Sequence, residues 1–128
     1  MLVRLDHGSP VPLGDQIAAS VRGAVADGSV RPGERLPAAR ALADSLGVNV
    51  HTVLRGYQRL REEGIIELRR GRGAVVTAGD AVADRARLLA AAGRLVAEAR
   101  SSGLGDEAIL NLVRTSLDPA WSGGGGSV

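Results

Sequence analysis

The chain has 128 residues, a net charge of +2, 45% hydrophobic residues and 2% aromatic residues, so we expect one small domain with an aliphatic core and at most an appendage. It contains no cysteine, and its two histidines, His7 and His51, lie far apart without an acidic cluster around them, which excludes a disulfide framework and argues against a metal site. No apolar run is long enough for a signal peptide or a membrane span, so we expect a cytoplasmic protein without a membrane partner.

The first predicted element is a helix over residues 12–27, because apolar side chains recur at every fourth position. These side chains are Leu13, Ile17, Val21 and Val25. Pro12 suits the first turn of this helix, and Gly28 ends it. The following Arg-Pro-Gly-Glu segment at residues 31–34 predicts a β-turn, because proline presets the second position and glycine supplies a positive φ at the third.

Two helices follow, over residues 38–46 and 50–63. The first begins after Pro37 and ends at Gly47 in the left-handed conformation. Asn49 is a good N-cap for the second. The side chains expected to face the core are Leu42, Ala43 and Leu46 in the first helix, and Val53, Tyr57 and Leu60 in the second. The short connection between them predicts a helix-turn-helix.

A basic β-hairpin is predicted next. Residues 66–69 alternate between apolar and charged side chains, residues 70–73 read Arg-Gly-Arg-Gly at the tip, and residues 74–77 form the return strand. A helix-turn-helix followed by a basic hairpin is the plan of a winged DNA-binding domain, in which one helix enters the major groove and the hairpin contacts the adjacent backbone or minor groove. The expected fold class is therefore mostly α with a small β-hairpin, a winged helix-turn-helix.

Two more helices are predicted after the hairpin, over residues 80–101 and 106–117. Apolar side chains recur every seven residues in the first, and the second has one apolar face. They are Val82, Leu88, Leu89, Leu95 and Val96, then Ile109, Leu112, Val113 and Leu117. Two such helices cannot form a stable domain alone, so they pack on the winged core, on each other or on a second copy of the chain. We favour self-association into a homodimer.

The predicted organisation has three parts: a winged helix-turn-helix domain at 1–78, a two-helix dimerisation region at 79–118 and a flexible Gly-rich tail at 119–128. Residues 1–77 carry 11 arginines and 8 acidic residues, whereas residues 78–128 carry 5 arginines and 6 acidic residues. A basic front half suits nucleic-acid binding. All basic side chains are arginines, which suit forked contacts to phosphate and guanine, although a GC-rich genome would produce the same bias.

The second helix of the predicted helix-turn-helix is the candidate DNA reader. Thr52, Arg55 and Arg59 lie on one stripe of it, while Asn49 and His51 occupy the first turn, where recognition helices usually meet base edges. The other candidates for DNA binding are Arg40 in the preceding helix and Arg69, Arg70, Gly71 and Arg72 in the hairpin. A solvated surface charge is the alternative for each. No catalytic residue, metal ligand or cofactor is predicted.

Four segments of residues 12–77 resemble the amino-terminal DNA-binding domain of the GntR family of bacterial transcription regulators. They read PLGDQI, GSVRPGERLPAAR, LADSLGVNVHTVLRGYQRLREEGIIE and RRGRGAVV. The short rear segment is similar to the YtrA-type subfamily, whose two-helix appendage serves dimerisation. The resemblance implies a homodimer on an inverted-repeat operator, usually acting as a repressor and often controlling a transporter operon.

The resemblance also implies which residues touch DNA. In the family, DNA contacts come from the positions of Arg40, Asn49, His51, Thr52 and Arg55 and from the hairpin tip at Arg70, Gly71 and Arg72. Three positions depart from many relatives. Ala38 stands in place of a serine, and Val50 and Leu54 stand in place of arginines. Apolar side chains at the last two positions suit thymine methyl groups.

The sequence therefore predicts a sequence-specific transcription regulator that binds double-stranded DNA. The alternative is a protein-interaction adaptor that uses the same fold without nucleic acid. An enzyme is not expected: some relatives carry a pyridoxal-phosphate domain, but no lysine is present here to hold that cofactor. A small-molecule effector stays an open question, and the cleft between the reader and the rear helices is its expected place.

Overall fold

The computed structural model describes residues 3–119, which form five α-helices and one antiparallel pair of strands. The helices are α1 (Leu13–Ala26), α2 (Ala39–Leu46), α3 (Val50–Glu62), α4 (Ala81–Ser101) and α5 (Asp106–Leu117), and the strands are β1 (Ile66–Arg69) and β2 (Gly73–Val76). The predicted fold class is confirmed, and the predicted helix ends agree to within one residue. Residues 120–128 of the predicted tail lie outside the described residues.

The core of the winged part is aliphatic, as the composition predicts. It is formed by one face of each of the first three helices together with the inner face of the hairpin. Its buried side chains include Ile17, Val21, Val25, Leu42, Ala43, Val53, Tyr57, Leu60, Ile65 and Val76. The inward-facing positions predicted for the helix-turn-helix are confirmed, with Leu46 partly buried against the same core. This core fixes the orientation of α3 and of the hairpin beside it.

The helices α1 and α3 cross in close contact at two glycines. A Cβ placed on Gly56 would lie 2.8 Å from the carbonyl oxygen of Gly14 and 3.2 Å from the Cβ of Ile17. A Cβ on Gly14 would lie 3.1 Å from the carbonyl oxygen of Thr52. Since real Cβ atoms do not approach a backbone oxygen as closely as 2.8 Å, this helix crossing requires glycine at position 56.

Two predicted glycine conformations position the helix-turn-helix and the sheet. Gly47 ends α2 with a φ of 69°, and Gly33 adopts a φ of 81° in the predicted β-turn. After this turn the chain pairs with β2. Arg35 forms an antiparallel bridge with Val75, and the backbone N–H of Leu36 donates a hydrogen bond of 2.9 Å to the carbonyl oxygen of Ala74. The sequence did not predict this extra pairing, which anchors the hairpin to the segment that precedes α2.

An ion-pair network holds the carboxyl end of α3. The guanidinium of Arg22 donates two hydrogen bonds to the Glu63 carboxylate, at 2.9 and 2.7 Å, and Arg59 donates a third at 3.1 Å. The side chains of Arg22 and Glu63 are only 15% and 11% exposed, so water screens the pair weakly. Arg85 of α4 also donates to the carbonyl oxygen of Glu63. Residue 63 thus connects α3 to α1 and to α4.

The described chain divides into two compact units, and the boundary falls within α4. One unit ends at Ala90 and the other begins at Ala91. Val82 and Ala86 of α4 are buried in the core of the first unit, so that unit continues past the boundary predicted at residue 78. The second unit contains the rest of α4 and α5. Its buried apolar side chains are Ala99 and Ile109, whereas Leu95, Leu110, Leu112, Val113 and Leu117 are exposed.

Candidate nucleic-acid interface

The polar side chains at the start of α3, Asn49 and His51, differ in how many of their hydrogen-bonding groups are available to a partner. Asn49 is the predicted N-cap, and its Oδ1 accepts a hydrogen bond of 2.8 Å from the backbone N–H of His51. One lone pair of this oxygen is therefore occupied, while the two NH₂ donors of Asn49 make no hydrogen bond within residues 3–119 and are available to DNA. The His51 side chain is exposed and makes no hydrogen bond within residues 3–119, so both of its ring nitrogens are free to meet a base edge.

The exposed face of α3 is rotated from the stripe that the sequence indicated. His51, Arg55 and Gln58 lie at its centre and are exposed. Thr52 is only partly exposed, because the first turn of α1 packs against its backbone, and Arg59 is paired with Glu63 beside α1. The predicted stripe thus follows the α1 edge of the helix, with Arg55 shared by both faces. This difference has a physical cause, since the contact with α1 is not encoded in the spacing along α3.

A groove of about 480 Å³ lies between α3 and the hairpin. It is lined by His51, Leu54, Arg55, Tyr57, Gln58, Arg61 and Leu68. None of these side chains is acidic. The candidate DNA-binding residues predicted from the sequence omitted Gln58, Arg61 and Leu68, whereas Leu54 was predicted to suit a thymine methyl group. Seven-residue steps from His51 to Gln58 and from Leu54 to Arg61 were the available signal, because such residues share one side of a helix.

The candidate arginines divide into free and paired side chains. Within residues 3–119, Arg40, Arg55 and Arg70 are exposed and make no hydrogen bond or ion pair. Arg59 is held by Glu63, and Arg69 donates two hydrogen bonds to Glu67, at 2.9 and 2.7 Å. Those carboxylates partly neutralise the paired arginines and compete with phosphate for their N–H donors. The free arginines are therefore the stronger candidates for direct contact with DNA.

The exposed tip of the hairpin can closely approach a partner that has a flat or convex surface. Arg69 pairs with Gly73 at the end of the strands, and residues 70–72 form the exposed loop. Gly71 and Gly73 have φ values of 79° and 75°, and open space surrounds both. Arg72 sends a long hydrogen bond of 3.4 Å to the carbonyl of Gly33. A small, cationic, open tip of this kind suits the sugar–phosphate backbone.

Comparison with known proteins identifies this arrangement. Residues 13–76, half of the chain, match the bacterial regulatory proteins of the gntR family. The chain belongs to the GntR family. GntR regulators are DNA-binding proteins and not enzymes, so the chain carries the DNA-binding helix-turn-helix of a transcription regulator.

Its relatives include regulators of the YtrA type. The chain is 36% identical over 76 residues to the HTH-type transcriptional repressor YtrA of Bacillus subtilis, covering 59% of this chain but only 58% of that protein. It is 38% identical over 102 residues to the HTH-type transcriptional regulator Rv1152 of Mycobacterium tuberculosis, covering 80% of this chain and 83% of that protein. The structure of YtrA from Sulfolobus acidocaldarius, a GntR-family transcription factor, matches with a TM-score of 0.59 and 34% identity, over 76% and 99% of the two chains.

The described part of this GntR domain contains neither a cluster of metal-ligating side chains nor a membrane-spanning helix. Within residues 3–119, no three His, Asp or Glu side chains come close enough together to hold a metal ion. In the same part of the chain, no helix combines the length and hydrophobicity needed to cross a bilayer.

A buried tyrosine sets the position of the reader helix in this GntR domain. Tyr57 is 6% exposed, and its hydroxyl donates a 2.7 Å hydrogen bond to the carbonyl oxygen of Pro37, just before α2. This bond ties the middle of α3 to the start of α2. Burial raises the pKa of Tyr57 to about 12. The chain has no lysine or cysteine and only one tyrosine, so no other side chain titrates between about pH 8 and 12.

We expect the stability of the protein to fall as the pH rises from about 10 to about 12, because the unfolded chain then loses the tyrosine proton that the folded chain retains. Below about pH 10 the stabilisation from the protonated Tyr57 is fully present. Over the whole range the free energy of unfolding should fall by roughly 2 to 3 kcal/mol, which corresponds to a two-unit difference in pKa. Urea unfolding at several alkaline pH values measures it. Tyr57→Phe should start about 1 kcal/mol less stable and lose this pH dependence. An equal alkaline loss in the Phe variant would contradict the assignment.

Proposed function

We propose that this chain is a homodimeric, sequence-specific GntR-family regulator that represses transcription by binding an inverted-repeat operator. The observation that carries the proposal is the set of free arginines, Arg40, Arg55 and Arg70, on the helix-turn-helix and the hairpin tip. Unpaired guanidinium groups on these elements are available to bind base edges in a major groove and its flanking phosphates. The protein would act in the cytoplasm, where bacterial DNA lies.

Repression is supported by one relative. The Bacillus subtilis protein YtrA is named a transcriptional repressor. A winged domain that covers an operator blocks access to the promoter without any catalytic step. Control of a transporter operon follows from the YtrA-type resemblance, and footprinting upstream of this gene and of neighbouring transporter genes tests it.

The homodimer is supported by the second unit of the chain. In its described residues, this unit (the rear part of α4 together with α5) has only two buried apolar side chains, Ala99 and Ile109, and so buries too little surface to be stable alone. Its exposed leucines and valine form an apolar face of the kind that associates with another copy. A dimer with two-fold symmetry presents two reader helices to two half-sites, which explains the expected inverted repeat.

Roles within the interface differ, and this difference is testable. We expect Arg55→Ala to lower the affinity for the specific operator by roughly 1 to 3 kcal/mol, because a forked contact to a base edge is lost. The affinity for random DNA should change much less. Titration of labelled operator and random duplexes measures both. Equal losses on the two duplexes would show that Arg55 binds only phosphate.

We expect Arg70→Ala to weaken binding to operator and random DNA alike, because the hairpin tip contacts the backbone. The slope of log K against log salt should become shallower by about 0.9 for each lost phosphate contact, and so by about 1.8 for a dimer that loses one contact per chain. Arg94→Ala removes an exposed arginine from the second unit and serves as the matched control. An unchanged slope in Arg70→Ala would remove the tip from the interface. The adaptor alternative predicts no salt-sensitive DNA binding at all.

A further inference from the structure

We propose that Leu54 is a specificity-determining residue that reads the 5-methyl group of a thymine in the operator. The inference rests on the proposed function, because it requires that α3 enter the major groove. It deepens that function by naming a base feature that the helix selects. Sequence discrimination is thereby assigned to an apolar side chain as well as to the arginines.

Leu54 is an apolar side chain on the exposed face of the reader helix. It is 46% exposed, whereas most large apolar side chains in the first unit are buried. Val50, one turn earlier, packs partly against the core, so it is not equally available. The structure therefore separates the two positions at which the sequence offered an apolar group to DNA. Leu54 is the one that extends from the surface.

A second exposed leucine faces the same groove. Leu68, on β1, is 57% exposed and lines the groove together with Leu54. The two side chains come from different elements, so the hairpin enlarges the apolar surface that α3 begins. A single exposed leucine needs no explanation, but two that line one groove beside a reader helix indicate an apolar contact with a ligand.

The surroundings of this apolar surface specify the ligand. Its neighbours in the groove include Arg55 and Arg61, with His51 and Gln58 as hydrogen-bonding groups and no acidic side chain. The partner must therefore carry negative charge and hydrogen-bonding edges around an apolar group. The major groove has this composition where thymine occurs, because its 5-methyl group lies between base-edge acceptors and is flanked by phosphates. Charge complementarity thus favours DNA over an apolar protein segment.

The chemistry allows one sharp test. Replacing a thymine by deoxyuridine removes only the methyl group and keeps the base pair and its hydrogen bonds. The full-length chain is used to select an operator from random duplexes, and each thymine is then replaced in turn. At the thymine read by Leu54 we expect about a four-fold loss of affinity, and about fifteen-fold when both half-sites are changed, from the burial of one methyl group per site.

Variants of the protein assign the effect to the residue. Leu54→Ala should bind the thymine and deoxyuridine operators equally, because the side chain that contacts the methyl group is gone. Val11→Ala is the matched control, since Val11 is 47% exposed and does not line the groove; it should keep the full preference. Far-ultraviolet circular dichroism establishes that both variants are folded.

The outcomes separate this inference from the proposed function. A wild-type chain that binds its operator specifically and tolerates deoxyuridine at every position would overturn the role of Leu54 and leave the regulator intact. A preference that persists unchanged in Leu54→Ala would assign the methyl contact to another residue and would equally overturn it. Failure of the wild-type chain to select any duplex would overturn both proposals, and would favour a protein partner for the groove.

Discussion

Replacing Gly56 by alanine is expected to lower the free energy of unfolding by about 2 to 3 kcal/mol, which is the upper range for overpacking a core. The added Cβ would lie 2.8 Å from the carbonyl oxygen of Gly14 and 3.2 Å from Ile17. A backbone oxygen cannot rotate away as a flexible side chain does. The helices α1 and α3 must therefore separate, and their shared core loses contacts.

The same substitution at another helical glycine provides the control. Gly23 lies within α1, and no atom lies within 4 Å of the place where its Cβ would be. Gly23→Ala should raise the free energy of unfolding by about 0.5 to 1 kcal/mol, because alanine restricts the unfolded chain and favours the helix. Urea unfolding of both variants at equal protein concentration measures the difference. Two changes of the same sign would contradict the close helix crossing.

The opposite stability changes expected for Gly56→Ala and Gly23→Ala illustrate which features of this fold can be predicted from the sequence and which cannot. Periodicity and capping residues predict every helix, because Asn49 and Gly47 act through neighbouring residues in the chain. Nothing local distinguishes Gly56 from Gly23, since both interrupt amphipathic helices in the same way. Their difference arises where α1 meets α3, a contact between segments that are distant in sequence. Local signals therefore establish the elements, and tertiary contacts decide which residues are irreplaceable.

The candidate interface shows the same division. The sequence predicts which arginines lie on the reader helix and the hairpin, but not which of them are free. Arg59 is held by Glu63, whose carboxylate is also bound by Arg22 from α1. Arg69 is held by Glu67 on its own strand. Pairing of this kind depends on side-chain geometry. The family resemblance already names the position of Arg55, and not that of Arg59, as a DNA contact, and the ion pair of Arg59 adds a physical reason for that difference.

The groove beside the reader helix required tertiary information for another reason. Leu68 on β1 and Leu54 on α3 become neighbours only when the hairpin packs beside the helix. An alternating strand pattern would ordinarily assign Leu68 to the core, yet it is 57% exposed. The candidate interface of this chain is thus assembled from residues that individually resemble core or ordinary surface.

The second large effect is expected from the proposed homodimer. Leu112→Asp places a charge on the exposed apolar face of α5, where Leu112 is 42% exposed. Burying that charge in an interface without a partner is unfavourable, so the dimer should dissociate. Affinity for the complete inverted repeat should fall by about 100- to 10,000-fold, because the second half-site no longer binds intramolecularly. Affinity for a single half-site should stay the same, since the first unit is unchanged.

A matched variant distinguishes loss of the interface from a general effect of charge. Asn111→Asp introduces the same charge on the adjacent, polar side of α5, where Asn111 is exposed and accepts a hydrogen bond from Arg114. Sedimentation gives the solution mass of each variant, and titration gives its affinity for whole and half operators. A wild-type mass in Leu112→Asp would place the dimer interface elsewhere. A halved mass with undiminished operator affinity would show that one winged domain suffices, because avidity would then contribute nothing.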